Sequence, residues 1–289
     1  MSRLFEALQR SEAEKTSAPF FEPPTAAAEL LKTAEKGQNE FRQFETLPIS
    51  PAPDGRLVCL TAKESLAAEK FRYLVVRLRQ IQQTRALKRI LITSTLAEEG
   101  KSVVSANLAL ALARRHWQKT LLIEGDLRRP VLAERFGLGR LPGLTEWLCD
   151  GTGPLPNIYQ LEDAGLWILP AGKPAANPLE LMHGGGLGAL MDDLSEPFDW
   201  IVIDSPPILP LADTSIWNRH SDGVLLVVRE GKSEKRQVKA GLESLGTSNL
   251  LGVVLNGSSN TDHRKYYQRY YLTGSQSGSS NGSAGSKSA

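Results

Sequence analysis

Six short apolar runs, RILITS (89–94), TLLIE (120–124), LWILP (166–170), WIVIDS (200–205), GVLLVV (223–228) and LLGVVLN (250–256), alternate with stretches of helical spacing. Runs that are apolar at nearly every position, not at every second one, belong to strands buried on both faces, and the intervening helices supply the cover. The expected fold is therefore α/β: a doubly wound, mostly parallel sheet with helices on both faces. A polar–apolar helix over about 61–84 precedes the first run. With 289 residues, 41% of them hydrophobic, the chain can bury a sizeable core.

The flanks read differently. Met1, Leu4, Phe5 and Leu8 share one face of a short amphipathic helix over 1–15, an apolar stripe that needs a surface to bury against. Residues 16–56 are rich in Ala, Glu and Pro and hold six of the 17 prolines, so they are expected to be a flexible linker. A folded domain is expected over 57–262. The last 17 residues, TGSQSGSSNGSAGSKSA (273–289), are too rich in Ser and Gly to bury a core and are expected to be a disordered tail.

Charge and cysteine content exclude some partners. Lys plus Arg number 34 against 32 Asp plus Glu, so no bulk attraction to nucleic acid is expected. Cys59 and Cys149 lack metal-ligand spacing, nothing resembles a secretion signal, and no apolar run approaches the roughly 18 residues that span a bilayer. The expectation is a cytoplasmic protein that meets the membrane only through a partner or a surface helix.

The chemistry concentrates at strand ends. TSTLAEEGKSVVSANL (93–108) is a strand-to-helix turn at the carboxyl end of the sheet, where open α/β folds bind ligands. A helix N-terminus there offers free N–H groups and a positive dipole end to phosphate oxygens, with Lys101 reaching the β/γ-phosphates and Ser102 ligating magnesium. The usual phosphate loop opens with glycine; here Thr95 holds that place. Phosphoryl transfer also needs magnesium ligands and a base. TLLIEGDLRRP ends a strand with Glu124 and Asp126 two apart, which puts both acids on one side if strand geometry persists. WIVIDSPP ends another with Asp204. Taken singly, GKS also fits an ordinary surface loop and each acid a helix cap; the three strand ends together favour a nucleotide site.

From about 60 to 271 the chain resembles the bacterial protein-tyrosine kinases of capsule and exopolysaccharide synthesis, relatives of MinD/ParA-type deviant-Walker ATPases. The resemblance runs through ITS-x(4)-EGKS-x(4)-NLA (92–109), LLIEGDLRRP (121–130), PGLTEWL (142–148), NPLEL (177–181), FDWIVIDSPPIL (198–209), GVVLN (252–256) and the cluster YYQRYY (266–271). It implies a P-loop domain binding ATP and Mg2+ through Glu99, Gly100, Lys101, Ser102, Val103 and Asn256. Ser102, Asp126 and Asp204 would lie around the metal; Lys101, Asp126, Glu124 and Asp204 would carry catalysis. It also implies autophosphorylation of Tyr266, Tyr267, Tyr270 and Tyr271, self-association into a ring through Glu69 and Arg72, a membrane chain-length regulator as activator, and a cognate tyrosine phosphatase.

Three positions depart from that pattern. Glu98 replaces a glycine, so a positive φ there would be strained and the extra carboxylate would oppose phosphates. Glu124 stands for the family's Asp, and Val75 for the last Arg of an E-x-x-R-x-x-R motif. The leading function is an ATP-dependent tyrosine autokinase. The runner-up is an ATP-binding regulatory subunit with little kinase activity, and a MinD/ParA-like positioning ATPase is third. Without the upstream motifs, the tyrosine cluster would sooner be read as one face of an amphipathic helix.

Overall fold

The computed structural model describes residues 44–258, apart from 116, 152–154, 185 and 247–248. The N-terminal stripe, the tyrosine cluster and the Ser/Gly tail all lie outside the described residues. Eight strands form one sheet: β1 (Glu45–Leu47), β2 (Arg89–Ser94), β3 (Thr120–Glu124), β4 (Tyr159–Leu161), β5 (Leu166–Leu169), β6 (Trp200–Asp204), β7 (Gly223–Arg229) and β8 (Leu250–Asn256), in the order β1-β4-β5-β3-β6-β2-β7-β8. Every pairing is parallel except β4 with β5. The mostly parallel doubly wound sheet expected from the apolar runs is the observed one.

The central strands are apolar throughout because helices close both faces. Every residue of β3 and β6 is buried, as is β2 from Ile90 onward. Against this sheet packs α3 (Lys101–Ala113), with 11 of its 13 residues buried. Such all-round burial requires cover on its far side. Two elements give it: α1 (Val58–Thr61) and α2 (Leu66–Gln82), the latter capped by Ser65, whose Oγ accepts the Ala68 N–H at 3.2 Å. Asn107 on α3 fastens the approach to α1, accepting from the Cys59 N–H and donating to the Arg56 carbonyl, both at 2.9 Å. The remaining helices are α4 (Leu132–Arg135), α5 (Leu144–Asp150), α6 (Pro178–His183), α7 (Gly186–Ser195), α8 (Asp213–Arg219) and α9 (Lys235–Leu245).

The sequence boundary at 57 needs correcting. Residues 45–56 were assigned to the linker, yet β1 pairs in parallel with β4 (Glu45↔Tyr159 to Leu47↔Leu161), and Glu45 begins the same compact unit as the rest of the sheet. Beyond it the chain stays docked: the Ser50 and Ala52 N–H groups donate to the carbonyls of Phe136 and Arg135 at 3.1 and 3.2 Å. Proline content misled because Pro48, Pro51 and Pro53 flank or separate these donors without replacing either. Their fixed φ favours an extended chain and their missing N–H costs nothing there. The three-residue strand β4 also went unread, being too short to carry a period.

Relative to a chain beginning at Phe44, one beginning at Leu57 loses β1 and the core contacts of Leu47 and Ile49. That loss is worth about 2–3 kcal/mol, or roughly 5–10 °C for a domain of this size. Thermal denaturation of the two truncations measures it; equal melting temperatures would return residues 45–56 to the linker.

Candidate functional site

The carboxyl ends of β2, β3, β6 and β7 converge, and the loop after β2 is held by contacts within itself and from the segments that follow β7 and end β8. Glu99, fully buried, accepts the Leu96 N–H through Oε2 at 2.8 Å and the Ser233 hydroxyl through Oε1. Its carbonyl accepts from the Asn256 side-chain amide at 2.9 Å. Gly100 has φ +93°, and a Cβ there would sit 2.0 Å from Asn256 Nδ2, so this position admits only glycine. Glu98 has φ +62°, the left-handed conformation that makes a side chain unfavourable. Thr95 needs no glycine: among the described residues the only non-glycines with positive φ are Arg56, Glu98 and Asp163.

Lys101 begins α3 and turns its Nζ to Asp126 Oδ2 at 3.1 Å, with both side chains largely buried. Asp126 Oδ1 accepts the Arg129 N–H at 3.1 Å. Asp204, at the end of β6, accepts from Ser105 Oγ at 3.0 Å through Oδ1, while its buried Oδ2 meets no donor in hydrogen-bonding geometry. Burial raises the Asp204 carboxyl above its ordinary range; the Lys101 charge and the nearby Ser102 hydroxyl pull it back, and Asp126 adds to the rise. A buried acid with an open oxygen is suited to a cation. Beside these groups lies a cavity of about 510 Å³, lined by Gly100, Lys101, Ser102, Val103, Asp126 and Arg129 among others. Its size suits a small-molecule ligand. Magnesium typically takes one or two carboxylates and completes its shell with water and substrate phosphates; Ser102, Asp126 and Asp204 fit that donor set.

Glu124 and Asp126 engage different partners. The strand ends at Glu124, and Gly125 stays against β6: its N–H donates to the Asp204 carbonyl at 2.7 Å and its carbonyl accepts from Trp217 Nε1 at 3.1 Å. A Cβ at 125 would lie 2.8 Å from both that carbonyl oxygen and the Trp217 ring. Glu124 is bound to the start of α4. Its Oε1 accepts the N–H groups of Val131, at 2.5 Å, and Leu132; its Oε2 accepts that of Ala171 at 3.1 Å. Burial pushes this carboxyl up, against the pull of the three amides.

Other predicted positions resolve as follows. Glu69 and Arg72 form an ion pair within α2, and Arg72 also donates to the Lys63 carbonyl at 2.7 Å. Val75 is 5% exposed, so an arginine there would have to bury its charge in the core. Sequence reasoning missed Lys232 and Ser233, which reach Glu98 and Glu99 from the turn after β7. A signal was present: the tetrapeptide EGKS occurs twice, at 99–102 and 230–233. It also missed the two-bond clasp of Arg128 on buried Asp213, at 2.7 and 3.1 Å, which fixes one wall of the cavity.

No family model matches the chain. It is 33% identical over 219 residues to the tyrosine-protein kinase YwqD of Bacillus subtilis (strain 168), spanning 75% of this chain and 91% of that protein. It is 31% identical over 214 residues to the succinoglycan biosynthesis transport protein ExoP of Rhizobium meliloti (strain 1021), covering 72% of this chain and 27% of that one. Among solved structures, the kinase domain of the Escherichia coli tyrosine kinase ETK superposes with a TM-score of 0.64 at 26% identity, over 74% of this chain and 89% of that one.

Replacing Glu124 by alanine strands two buried amides and the half-buried one of Val131, a buried one being worth about 1–3 kcal/mol when unsatisfied. Urea unfolding is expected to register a loss of about 3 kcal/mol or more, with Glu124→Asp intermediate because the shorter arm cannot reach both Leu132 and Ala171. A loss below about 1 kcal/mol for the alanine variant would mean that water replaces the carboxylate.

Proposed function

The chain belongs to the bacterial protein-tyrosine kinases of capsule and exopolysaccharide synthesis, and on that footing we propose that its cavity binds ATP with Mg2+ and transfers the γ-phosphoryl group to tyrosines of its own C-terminal cluster. The observation that carries this reading is the meeting of Lys101, Asp126 and Asp204 at the N-terminus of α3, beside a cavity of about 510 Å³. The α3 amides and Lys101 receive the phosphates. Lys101 is paired with Asp126 in the free protein, so nucleotide binding exchanges one anionic partner for another and leaves Asp126 available to a proton. Ser102 and Asp204 are the groups to hold Mg2+, which when bound would add electrophilic charge at the phosphates.

In the transfer, the tyrosine oxygen forms a bond to the γ-phosphorus as the bond to the β-phosphate bridging oxygen breaks, and the phenolic proton leaves to a carboxylate. Asp126 is the proposed acceptor. Glu124, engaged with three backbone amides, anchors the segment 125–132 and so holds Asp126 and Arg129 in place. Tyr266, Tyr267, Tyr270 and Tyr271 are the proposed phospho-acceptors. Each phosphate adds about −1.5 to −2 charge to a segment that also contains His263, Arg264, Lys265 and Arg269, enough to expel the product from an acidic site.

The partner reading rests on a relative: ExoP contains a matching region within a much longer transport protein. We take this chain to work at the inner face of the membrane through a chain-length regulator, with the Leu4, Phe5 and Leu8 stripe as a docking element. Self-association through Glu69 and Arg72 and a cognate phosphatase complete the proposal. No helix among the described residues is long and apolar enough to cross a membrane.

Purified protein incubated with ATP and Mg2+ is expected to gain mass in phosphate steps, and replacement of all four cluster tyrosines by phenylalanine is expected to abolish the gain. Lys101→Met should retain the fold by circular dichroism and weaken ATP binding at least tenfold by calorimetry, in line with removal of a buried charge from a phosphate site. Binding without any mass gain would instead support the regulatory-subunit function, and equal ATP affinity in the folded Lys101→Met variant would sink the nucleotide site.

A further inference from the structure

The phosphate loop carries an exposed carboxylate on a residue with φ +62°, two features that each oppose a site for anions. Both are answered from one place. The turn after β7 reads EGKS (230–233), and Gly231, at φ +74°, lets it fold back on Arg229, whose carbonyl accepts the N–H groups of Lys232 and Ser233 at 3.2 Å. From this turn Lys232 Nζ reaches Glu98 Oε2 at 2.7 Å, Arg229 donates to the Glu98 carbonyl at 3.1 Å, and Ser233 donates to Glu99. The same turn is tied to β8, since the Glu230 N–H donates to the Asn256 carbonyl at 3.0 Å while the Asn256 side chain holds the Glu99 carbonyl. Residues 98 and 99 are thus gripped at side chain and carbonyl by residues more than 120 positions later in the chain.

The second EGKS is not a second phosphate loop. Its lysine and serine are already engaged with the first loop's acids, and an acid, Glu234, stands at the N-cap of the helix that follows. We propose that Lys232 is a positioning residue for the nucleotide site, neutralising Glu98 and, with Arg229, pinning the loop in its left-handed turn so that the loop can receive phosphates despite its carboxylate. This inference rests on the nucleotide reading of the cavity for its effect on affinity, but the pinning of the loop is a property of the free protein. Lys232 and Arg229 both favour the ionised form of Glu98, consistent with a carboxylate held as an anion by its neighbours.

Two measurements test the latch. The first is ATP affinity, by calorimetry with Mg2+ at low salt, of Lys232→Ala, Glu98→Gln and the double variant. If Lys232 acts by neutralising Glu98, Lys232→Ala weakens binding about three- to tenfold in the parent, the scale of one unscreened charge near the site. The same change has less than about a twofold effect once Glu98 is Gln. An equal loss in both backgrounds would mean that Lys232 meets the nucleotide directly, and no loss in either would leave it without a role; each overturns the proposal. The second, made without nucleotide, is hydrogen exchange of the amides at 96–100, expected to speed several-fold in Lys232→Ala and to return towards the parent rate in Lys232→Arg. Unchanged exchange overturns the pinning. Failure of the parent to bind ATP refutes the nucleotide reading alone, because the exchange result still decides the latch.

Discussion

Three carboxylates lie buried at the ends of neighbouring strands, and the chain's arrangement there follows from how each is compensated. Glu124 and Asp204 are register partners on β3 and β6, each 1% exposed, and Asp126 is 5% exposed. One ammonium, that of Lys101, cannot neutralise all three. Glu124 is served by backbone amides, which supply partial positive charge without adding a residue, and this ties the start of α4 and the strand-end segment at Ala171 to β3. Asp126 takes the lysine, and Asp204 is left with a hydroxyl on one oxygen and nothing in bonding geometry on the other. Leaving a buried acid short of partners opposes stability. In the proposed site the shortfall is made up by the cation that accompanies the phosphates.

The layers were legible because every unbroken apolar run became a strand, the central ones by burial on both faces, whereas edge strand β8 leaves Val253 and Leu255 exposed. The site was legible in outline for a related reason: in a parallel sheet all strands deliver their ends to one edge, so GKS, Glu124, Asp126 and Asp204 had to converge if the runs were read correctly. What could not be read was direction. The alternation rule holds only within the strand, and β3 ends at Glu124, with Gly125 fitted against the Asp204 carbonyl and the Trp217 ring. The docked arm at 45–56 escaped for a complementary reason. Its stability comes from carbonyls of Arg135 and Phe136, far away in sequence, and nothing local distinguishes a proline-rich segment that finds such acceptors from one that does not.

The reading of Glu98 changes most when contacts are known. From sequence alone it is an acid in a glycine's place, a defect twice over. The positive φ is there, as that argument required, but the charge argument took the carboxylate as unopposed. Its opposing charge sits 134 residues away and arrives because β7 lies next to β2 in the sheet, which brings the turn after one strand against the loop after the other. Pairing of this kind is set by topology and cannot be inferred from spacing.

The same topology explains why the loop tolerates so much side-chain bulk. A phosphate loop is ordinarily rich in glycine because its own backbone must supply both the tight turn and the close approach to the anion. Here the turn is braced from outside by Asn256, Ser233, Arg229 and Lys232, and within the loop glycine is strictly demanded at Gly100, where Asn256 crowds the backbone. External bracing lets a residue with a strained φ persist, since the contacts at its carbonyl and side chain favour that conformation over the alternatives. It also couples the loop to β7 and β8, so that a change in the β7–α9 turn would be felt at the helix terminus facing the cavity. A glycine-rich loop would lack that connection. The acid at 98 adds a side-chain contact, to Lys232, to the contacts at the Glu98 carbonyl and at Glu99 by which the loop's geometry already depends on that edge of the sheet.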